Sequence, residues 1–249
     1  MTSTNFTPST ALVTGATSGI GRATAIALAA SGIHVAVSGR DKARGDQTAG
    51  VIRASGGRAE FIQADLRDAA SATQLTVAAE AVLGHVDILV NNAGSGAFGP
   101  TTETTEAAFD ELFALNVKVP YFLTAALAPG MAERGAGVIV NVSTMVAEFG
   151  LDGMALYGAT KAALELLTKA WSAEFGPRGI RVNAVAPGPV STEGTEGMRE
   201  AQGYLASLAP ARRLGTSEEI AAAIVYLASP QAGFTNGVVL PVDGGRVAV

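Results

Sequence analysis

The chain contains no cysteine, which excludes disulfide bonds, thiolate catalysis and zinc–thiolate sites and suits a reducing compartment. It has no run of lysine and arginine either, and its net charge of -5 at pH 7 disfavours a surface that follows the phosphates of a polynucleotide. No apolar run of about 18 residues occurs, and the N-terminus lacks the basic segment and apolar core of a secretion signal. We therefore expect a cytoplasmic protein with no metal site and with neither a nucleic-acid nor a membrane partner.

What is present is a regular alternation of short β-branched apolar runs with longer amphipathic stretches. The predicted strands are ALVTG, HVAVSG, RAEFIQAD, VDILVNNAG, GVIVNVS, IRVNAVAPG and GVVLPVDGG. The predicted helices start near Ile20, Asp41, Asp68, Thr105, Met154 and Thr216. Strands that are apolar on both faces and separated by helices indicate an α/β fold, here a doubly wound Rossmann-type domain with a mostly parallel seven-stranded sheet and helices on both faces.

No linker, low-complexity tract or fixed repeat interrupts this pattern, and 48% hydrophobic residues in 249 can supply one large core. The sequence therefore predicts a single domain over residues 1–249. The longest irregular interval, PGPVSTEGTEGMREAQGYLASLAP, is rich in glycine and proline. It predicts a mobile segment that covers a site at about residues 188–210.

A glycine loop, VTGATSGIGRATAIALA, joins the first predicted strand to the first long helix. Gly15, Gly19 and Gly21 let the backbone turn tightly and approach a pyrophosphate, whose charge is stabilised by free N–H groups at the helix start. A plain strand-to-helix turn is the alternative for a glycine cluster taken alone.

The end of the second strand, VAVSGRD, bears on which dinucleotide is bound. An acidic residue there accepts hydrogen bonds from both ribose hydroxyls and repels a 2′-phosphate, but this chain has Gly39 followed by Arg40. A guanidinium can hold the 2′-phosphate and stack on adenine, and Ser38 can add a hydroxyl. The pattern favours NADP(H). The alternative is that Arg40 is a solvated residue before a helix capped by Asp41.

Tyr157 and Lys161 are four residues apart in a predicted helix, about one turn, so they share a face. A phenol of ordinary pKa near 10 is a poor proton shuttle at neutral pH, but a nearby ammonium and an oxidised nicotinamide both lower that pKa. Tyr157 then becomes a usable general acid or base. An exposed pair at helical spacing is the alternative.

Six motifs follow one another along nearly the whole chain: TGATSGIG, NNAG, Asn116 in the next helix, YGATK, PGPVST and VDGG. In this order they resemble the short-chain dehydrogenase/reductase family, in its subgroup of about this length. The resemblance implies an oxidoreductase that transfers a hydride between nicotinamide and a carbonyl or secondary alcohol. The fold hosts many substrates, so the particular substrate does not follow from it.

The resemblance also implies roles for individual residues. Tyr157 exchanges the proton, Lys161 lowers the pKa of Tyr157 and holds the nicotinamide ribose, and Asn116 positions a water next to the lysine. The cofactor site takes residues from the glycine loop and the strand ends: Gly15, Thr17, Ser18, Gly19, Ile20, Gly21, Ser38, Gly39, Arg40, Asp65, Leu66, Asn92, Ala93, Gly94, Tyr157, Lys161, Pro187, Gly188, Val190 and Thr192. Many NADP-using relatives have a basic residue where this chain has Ser18, and Arg22, Lys42 or Arg44 could compensate.

A hydroxyl before the tyrosine should stabilise charge on the substrate oxygen. In the family the usual serine stands thirteen residues before the tyrosine, which here is Thr144, with Ser143 one residue earlier. Because neighbours on a strand point to opposite sides, we expect that only one of them faces the pocket unless the strand end twists, and we predict Thr144.

Substrate preference is predicted from the side chains that the resemblance places in the pocket, which are mostly apolar: Ser95, Gly96, Ala97, Val146, Phe149, Leu151, Met154, Pro189, Met198 and Tyr204. They favour a hydrophobic ketone or secondary alcohol, or a 3-oxoacyl chain. The alternatives are a polyol or sugar dehydrogenase and a catalytically silent dinucleotide-binding regulator. In the family the helices over residues 105–133 and 154–175 pair between subunits, so a homotetramer or homodimer is expected.

Overall fold

The computed structural model describes residues 6–249, without the side chains at positions 195, 196, 198 and 199. Seven strands form one sheet: β1 (Thr10–Val13), β2 (His34–Gly39), β3 (Arg58–Gln63), β4 (Ile88–Asn91), β5 (Gly137–Val142), β6 (Ile180–Pro187) and β7 (Val239–Val242). Their order is β3-β2-β1-β4-β5-β6-β7, and every pair is parallel. The predicted seven-stranded α/β fold is confirmed, and the sheet is parallel throughout.

Eight helices connect the strands: α1 (Gly19–Ala30), α2 (Lys42–Ala54), α3 (Ala69–Leu83), α4 (Glu106–Phe113), α5 (Val119–Glu133), α6 (Ala155–Phe175), α7 (Arg199–Ser207) and α8 (Ser217–Ala228). Four of these helices begin after an N-cap residue that the sequence had predicted as the helix start. Each of these side chains accepts a hydrogen bond from a backbone N–H of the first turn: Asp41, Asp68, Thr105 and Thr216. Asp68 and Thr216 also belong to reciprocal capping boxes.

The helices cover both faces of the sheet. Inward side chains of the strands alternate: Val13, Val35 and Val90 pack with α1, α2 and α8 on one face, whereas Leu12 and Leu89 pack with α3, α5 and α6 on the other. Burial on both sides explains why the strands read as continuous apolar runs. The carboxyl ends of all seven strands consequently meet at one edge, and the strand order reverses between β1 and β4, where a ligand crevice opens in such sheets.

Two features of the fold were not predicted from the sequence. The residues Ala114–Lys118 form a π-helical segment between α4 and α5, and the irregular interval contains a 3₁₀ segment, Glu193–Met198, followed by α7. The mobility of that interval stays a prediction.

The stretch Glu106–Glu133, which spans α4 to α5, is long and apolar enough by length and composition to cross a membrane. Core helices of folded domains pass the same test, and α5 buries Leu123, Leu127 and Met131 in the second core cluster. The stretch is therefore weak evidence for a membrane span.

Candidate active site

A cavity of about 740 Å³ opens at the carboxyl ends of the strands. Its walls come from the glycine loop after β1, the ends of β2 and β3, the segment after β4, the end of β5, the start of α6 and the segment after β6. The sequence-predicted residues that border it are Gly15, Thr17, Ser18, Gly19, Ile20, Gly21, Gly39, Arg40, Asp65, Leu66, Asn92, Ala93, Gly94, Thr144, Tyr157, Lys161, Pro187, Gly188, Val190 and Thr192. Residues far apart in sequence thus share one crevice.

The glycine loop depends on backbone geometry that side chains resist. Gly15 and Gly19 have φ values of +63° and +51°. Gly21 packs so closely that a Cβ there would lie 2.4 Å from both the Gly15 carbonyl oxygen and the Asn92 amide nitrogen. The N-terminus of α1 therefore lines the cavity with backbone rather than with side chains at these glycines, and the Gly19 N–H donates to Glu193 Oε2 at 3.0 Å.

Thr14, which the sequence reading missed, joins the glycine loop to the NNAG segment. Its buried hydroxyl accepts hydrogen bonds from the backbone N–H groups of Asn92 (3.0 Å) and Ala93 (2.9 Å) and donates to the Val90 carbonyl oxygen. The Asn92 amide returns a hydrogen bond of 2.8 Å to the Thr14 carbonyl oxygen. The threonine directly before the first glycine of TGATSGIG was the available signal, but a buried hydroxyl between two strands cannot be read from sequence alone.

Charged side chains surround the far end of the cavity, where β2 ends. Arg40 is exposed there, and Arg44 lies beside it with its Nε 2.8 Å from Asp41 Oδ2. Asp65 pairs with Arg67, and the pKa of this carboxyl is lowered mainly by that hydrogen bond. Ser38 departs from the expectation, because its side chain is fully buried and does not border the cavity, so its hydroxyl is not available to a ligand phosphate.

The catalytic end of the cavity lies between the end of β5 and one face of α6. Tyr157 and Thr144 hydrogen-bond through their hydroxyls, and the buried Lys161 ammonium donates to the Val142 carbonyl oxygen at 2.8 Å. Ser143 also borders the cavity, but its hydroxyl donates to Glu165 Oε1 at 2.6 Å. Strand alternation does not separate them, because β5 ends at Val142 and both residues border the cavity. The two hydroxyls differ instead in their hydrogen-bond partners, Glu165 for Ser143 and Tyr157 for Thr144.

Asn116 is fully buried in the π-helical segment and does not border the cavity. Its amide donates to Thr160 Oγ1 at 3.0 Å and to the Ser95 carbonyl oxygen at 2.9 Å, and its oxygen accepts from the Ser95 N–H. A Cβ on Gly94 would lie 3.2 Å from both Asn116 Oδ1 and Lys161 Nζ. Asn116 therefore ties the segment after β4 to α6, immediately beside the lysine.

The pKa of Tyr157 runs against the expectation. Burial raises the pKa of the phenol, and the hydrogen bond with Thr144 offsets this only in part. The same burial lowers the pKa of Lys161 to about 8, against the opposing effect of the Glu165 charge. The sequence predicted which charges act on the phenol, but it did not predict that the phenol is buried. Burial has the larger effect on the pKa of Tyr157 in this structure.

The remaining cofactor candidates follow β6. Gly188 leaves no room for a side chain against the backbone of Asp243, Val190 pairs with Gly215, and Thr192 packs against Gly19. These contacts hold the segment after β6 over the glycine loop.

The substrate-side wall is partly as predicted. Ser95, Gly96, Val146, Met154 and Pro189 border the cavity, whereas Ala97, Phe149, Leu151 and Tyr204 do not, and the side chain of Met198 lies outside the described residues. Phe149 instead stacks under the Arg246 guanidinium, 4.6 Å from the ring centre. Sequence reasoning missed further wall residues: Phe98, Leu115, Val142, Met145, Gly194, Ala201, Gln202 and Leu205.

A parallel doubly wound sheet with a glycine loop, an open switch-point crevice and a buried lysine behind a tyrosine defines a dinucleotide-binding oxidoreductase class. The family model described as enoyl-(acyl carrier protein) reductase matches residues 15–246. The chain belongs to the short-chain dehydrogenase/reductase family, and it is an oxidoreductase acting on CH–OH groups.

Three similar proteins illustrate the match. An uncharacterised oxidoreductase of Thermotoga maritima is 39% identical over 98% of this chain and 100% of its own. A solved structure proposed to be a β-ketoacyl-ACP reductase has 49% identity and a TM-score of 0.86, covering 96% of this chain and 98% of the other. Another, from Beutenbergia cavernae, is proposed to be an NAD(P)-dependent gluconate 5-dehydrogenase; it holds NADP, with 37% identity, a TM-score of 0.93 and coverage of 98% and 99%.

Proposed function

We propose that this protein reduces a hydrophobic ketone or 3-oxoacyl substrate to the secondary alcohol with NADPH, using Tyr157 as the proton donor. The observation that carries the proposal is the placement of Tyr157. Its phenol is hydrogen-bonded to Thr144 at one end of the cavity, next to a wall formed largely by Phe98, Val146 and Met154.

The protonated Tyr157 phenol can serve as the proton donor of the reduction. Because burial raises the pKa of the phenol, it is protonated at neutral pH and ready to donate to a carbonyl oxygen. Thr144 would donate a second hydrogen bond to the same oxygen and stabilise the charge that develops on it. When bound, the nicotinamide supplies the hydride; Lys161 and Asn116 keep Tyr157 and the adjacent segment in place.

The residues around the cavity fit a nicotinamide dinucleotide. The backbone N–H groups of the glycine loop would hold the pyrophosphate, Asn92 to Gly94 would border the ribose, and Arg40 would meet a 2′-phosphate. Gly39 supports NADP(H) over NAD(H), since it supplies no carboxylate to repel that phosphate. The bound NADP of the Beutenbergia cavernae structure supports the same choice.

A panel of substrates tests this assignment. The purified protein is incubated with NADPH and aliphatic, aromatic or 3-oxoacyl thioester ketones, and with NADP⁺ and polyols, while nicotinamide absorbance is followed. We expect turnover of the apolar ketones, with Tyr157→Phe as the inactive control. Preference for polyols would instead support a sugar or polyol dehydrogenase. Two observations favour this alternative: the similar gluconate 5-dehydrogenase structure and the polar amide of Gln202 in the cavity wall. Tight NADPH binding without turnover of any compound would indicate a silent regulator.

Cofactor binding has a competitor within the chain. Glu193 places a carboxylate on the Gly19 N–H, at the helix start where the pyrophosphate would lie. Because both ligands are anions, Glu193 has to leave. We expect Glu193→Gln to tighten NADPH binding about threefold to tenfold, since a neutral amide competes less well for the N–H and does not repel the phosphates.

Fluorescence titration of NADPH measures this effect, with Glu218→Gln as the control because Glu218 is an exposed glutamate in the first turn of α8. Unchanged or weaker binding by Glu193→Gln would show that the carboxylate does not compete with the cofactor.

Self-association is also proposed. Large apolar side chains are exposed on the three helices that the family pairs between subunits: Phe109 on α4, Tyr121 and Phe122 on α5, and Leu166 on α6. We expect a tetramer or dimer at micromolar concentration in sedimentation experiments, and a smaller species for Leu166→Glu. Val77→Glu, on the exposed side of α3, is the matched control. A monomeric wild-type protein would contradict the proposal.

A further inference from the structure

Three consecutive residues at the end of β5 each contact a different residue of α6. The Val142 carbonyl oxygen accepts from Lys161 Nζ at 2.8 Å, the Ser143 hydroxyl donates to Glu165 Oε1 at 2.6 Å, and the Thr144 hydroxyl pairs with the Tyr157 phenol. The helix residues are spaced by four, so they lie on one face of α6. We call these contacts the β5–α6 clasp.

Two of the three contacts in the clasp involve residues with proposed roles in proton donation. The third, between Ser143 and Glu165, does not: Glu165 does not border the cavity, and the Ser143 hydroxyl, at the cavity edge, donates to Glu165. Yet Ser143 stands between Val142 and Thr144 in the chain, so any shift of Ser143 displaces the partners of both Lys161 and Tyr157.

Glu165 is an unusual residue to use for a purely structural contact. Its side chain is about 7% exposed, and burying a carboxylate costs free energy that an apolar residue would not. Burial raises its pKa to about 7, helped by Glu148, whose carboxyl hydrogen-bonds to it, and opposed by Ser143 and Lys169. The Glu165 charge in turn raises the pKa of Lys161.

We propose that Glu165 is a positioning residue of the active site: through Ser143 it fixes the end of β5 against α6, so that Thr144 and Tyr157 meet. Glu165 also lies one turn beyond Lys161 on the same face of α6, where its charge favours the ammonium form of the lysine. This inference rests on the proposed function of the site. It assigns a role to two residues that neither the motifs nor the proposed reaction uses.

Substitutions separate the hydrogen bond from the charge. Glu165→Gln keeps an oxygen that accepts from Ser143 but removes the charge, whereas Glu165→Leu removes both and leaves the Ser143 hydroxyl buried without its acceptor. We expect kcat to stay within about threefold for Glu165→Gln and to fall about tenfold for Glu165→Leu, with KM and NADPH affinity little changed because Glu165 touches neither ligand.

The double variant Ser143→Ala/Glu165→Leu gives the sharpest signature. Removing the hydroxyl together with its acceptor abolishes the orphaned donor, so kcat should recover toward the value for Ser143→Ala alone. A residue that served stability only would change the thermal midpoint without producing this recovery in kcat.

The pH profile of kcat tests the charge. Glu148 from the turn after β5, and Lys161 and Lys169 from α6, are the charged groups that act with or on Glu165. Without the Glu165 carboxylate the pKa of Lys161 falls, so the ammonium is lost at lower pH. The alkaline decline of kcat should move to lower pH in Glu165→Gln.

The measurements use the best ketone of the panel, with thermal unfolding to confirm folding. A Glu165→Leu variant with wild-type kcat, or a Glu165→Gln variant with an unaltered pH profile, would overturn the inference while leaving the proposed function intact. If Glu165→Leu does not fold, the pH profiles of Glu165→Gln and Ser143→Ala still test the inference. Ser143→Ala removes the donor that stabilises the Glu165 carboxylate, so its alkaline decline of kcat should also move to lower pH. A wild-type protein that turns over no ketone would overturn the proposed function and this inference together.

Discussion

Replacing Thr144 with alanine should lower kcat about a hundredfold, the loss of about 2.7 kcal/mol that removal of one oxyanion donor causes. The Thr144 hydroxyl is hydrogen-bonded to the Tyr157 phenol and borders the cavity, so it can reach the same substrate oxygen as the phenol. Thr144→Ser keeps the hydroxyl and should retain most of the activity. Because serine lacks the methyl group of threonine, the substrate range should widen.

Ser143→Ala is the matched control for this prediction, because it removes a hydroxyl from the adjacent position. The Ser143 hydroxyl donates to Glu165, so its loss loosens the end of β5 without removing a donor to the substrate, and we expect kcat at neutral pH to fall about threefold, far less than for Thr144→Ala. Steady-state kinetics with the best ketone measures both variants. A large loss of kcat in Ser143→Ala together with a nearly normal kcat in Thr144→Ala would contradict the prediction. It would mean that Ser143, and not Thr144, contacts the substrate oxygen.

Arg40→Asp should reverse the cofactor preference, with NADPH affinity falling about tenfold to a hundredfold and NADH use improving. Charge-assisted hydrogen bonds between a guanidinium and a phosphate are worth about 1.5 to 3 kcal/mol, and an aspartate at the end of β2 would accept from the ribose hydroxyls of NAD(H) instead. Arg40 is exposed at the cavity, so the substitution does not disturb the core.

Lys42→Asp controls for the change in overall charge. It also replaces a cation with aspartate, but Lys42 does not border the cavity and pairs with Asp46 at 2.6 Å. Titrations with both cofactors at several salt concentrations compare the variants, because a phosphate contact weakens as salt rises. Equal or better use of NADH by the unmodified protein would contradict the NADP(H) assignment.

Arg44 sets a limit on how complete the reversal can be. It borders the cavity next to Arg40, but its Nε is held by Asp41 at 2.8 Å. If Arg44 leaves Asp41 for the 2′-phosphate, Arg40→Asp retains part of the NADPH affinity, and the double variant Arg40→Asp/Arg44→Ala should remove it.

Local sequence patterns determined most of the architecture of this protein. All seven strands were predictable because each is a short apolar run, and the helix starts at Asp41, Asp68, Thr105 and Thr216 carry capping residues whose effect is local. The crevice followed from the same information, since parallel strands place their carboxyl ends at one edge. The π-helical segment around Asn116 was not predicted, because no local sequence pattern indicates it.

The neighbours of the site side chains were decided only by the tertiary structure. The sequence placed Tyr157 and Lys161 one turn apart, but whether burial or the ammonium dominates the pKa of the phenol depends on how far packing excludes water, and here burial dominates. Likewise Ser38 is buried and Ser143 meets Glu165, although both look like available hydroxyls in the sequence. Spacing along the chain determines which residues share a helix face or a strand end, because those relations are local. The desolvation and the hydrogen-bond partners of a side chain depend on segments that are distant in the sequence. They can therefore be determined only from the tertiary structure.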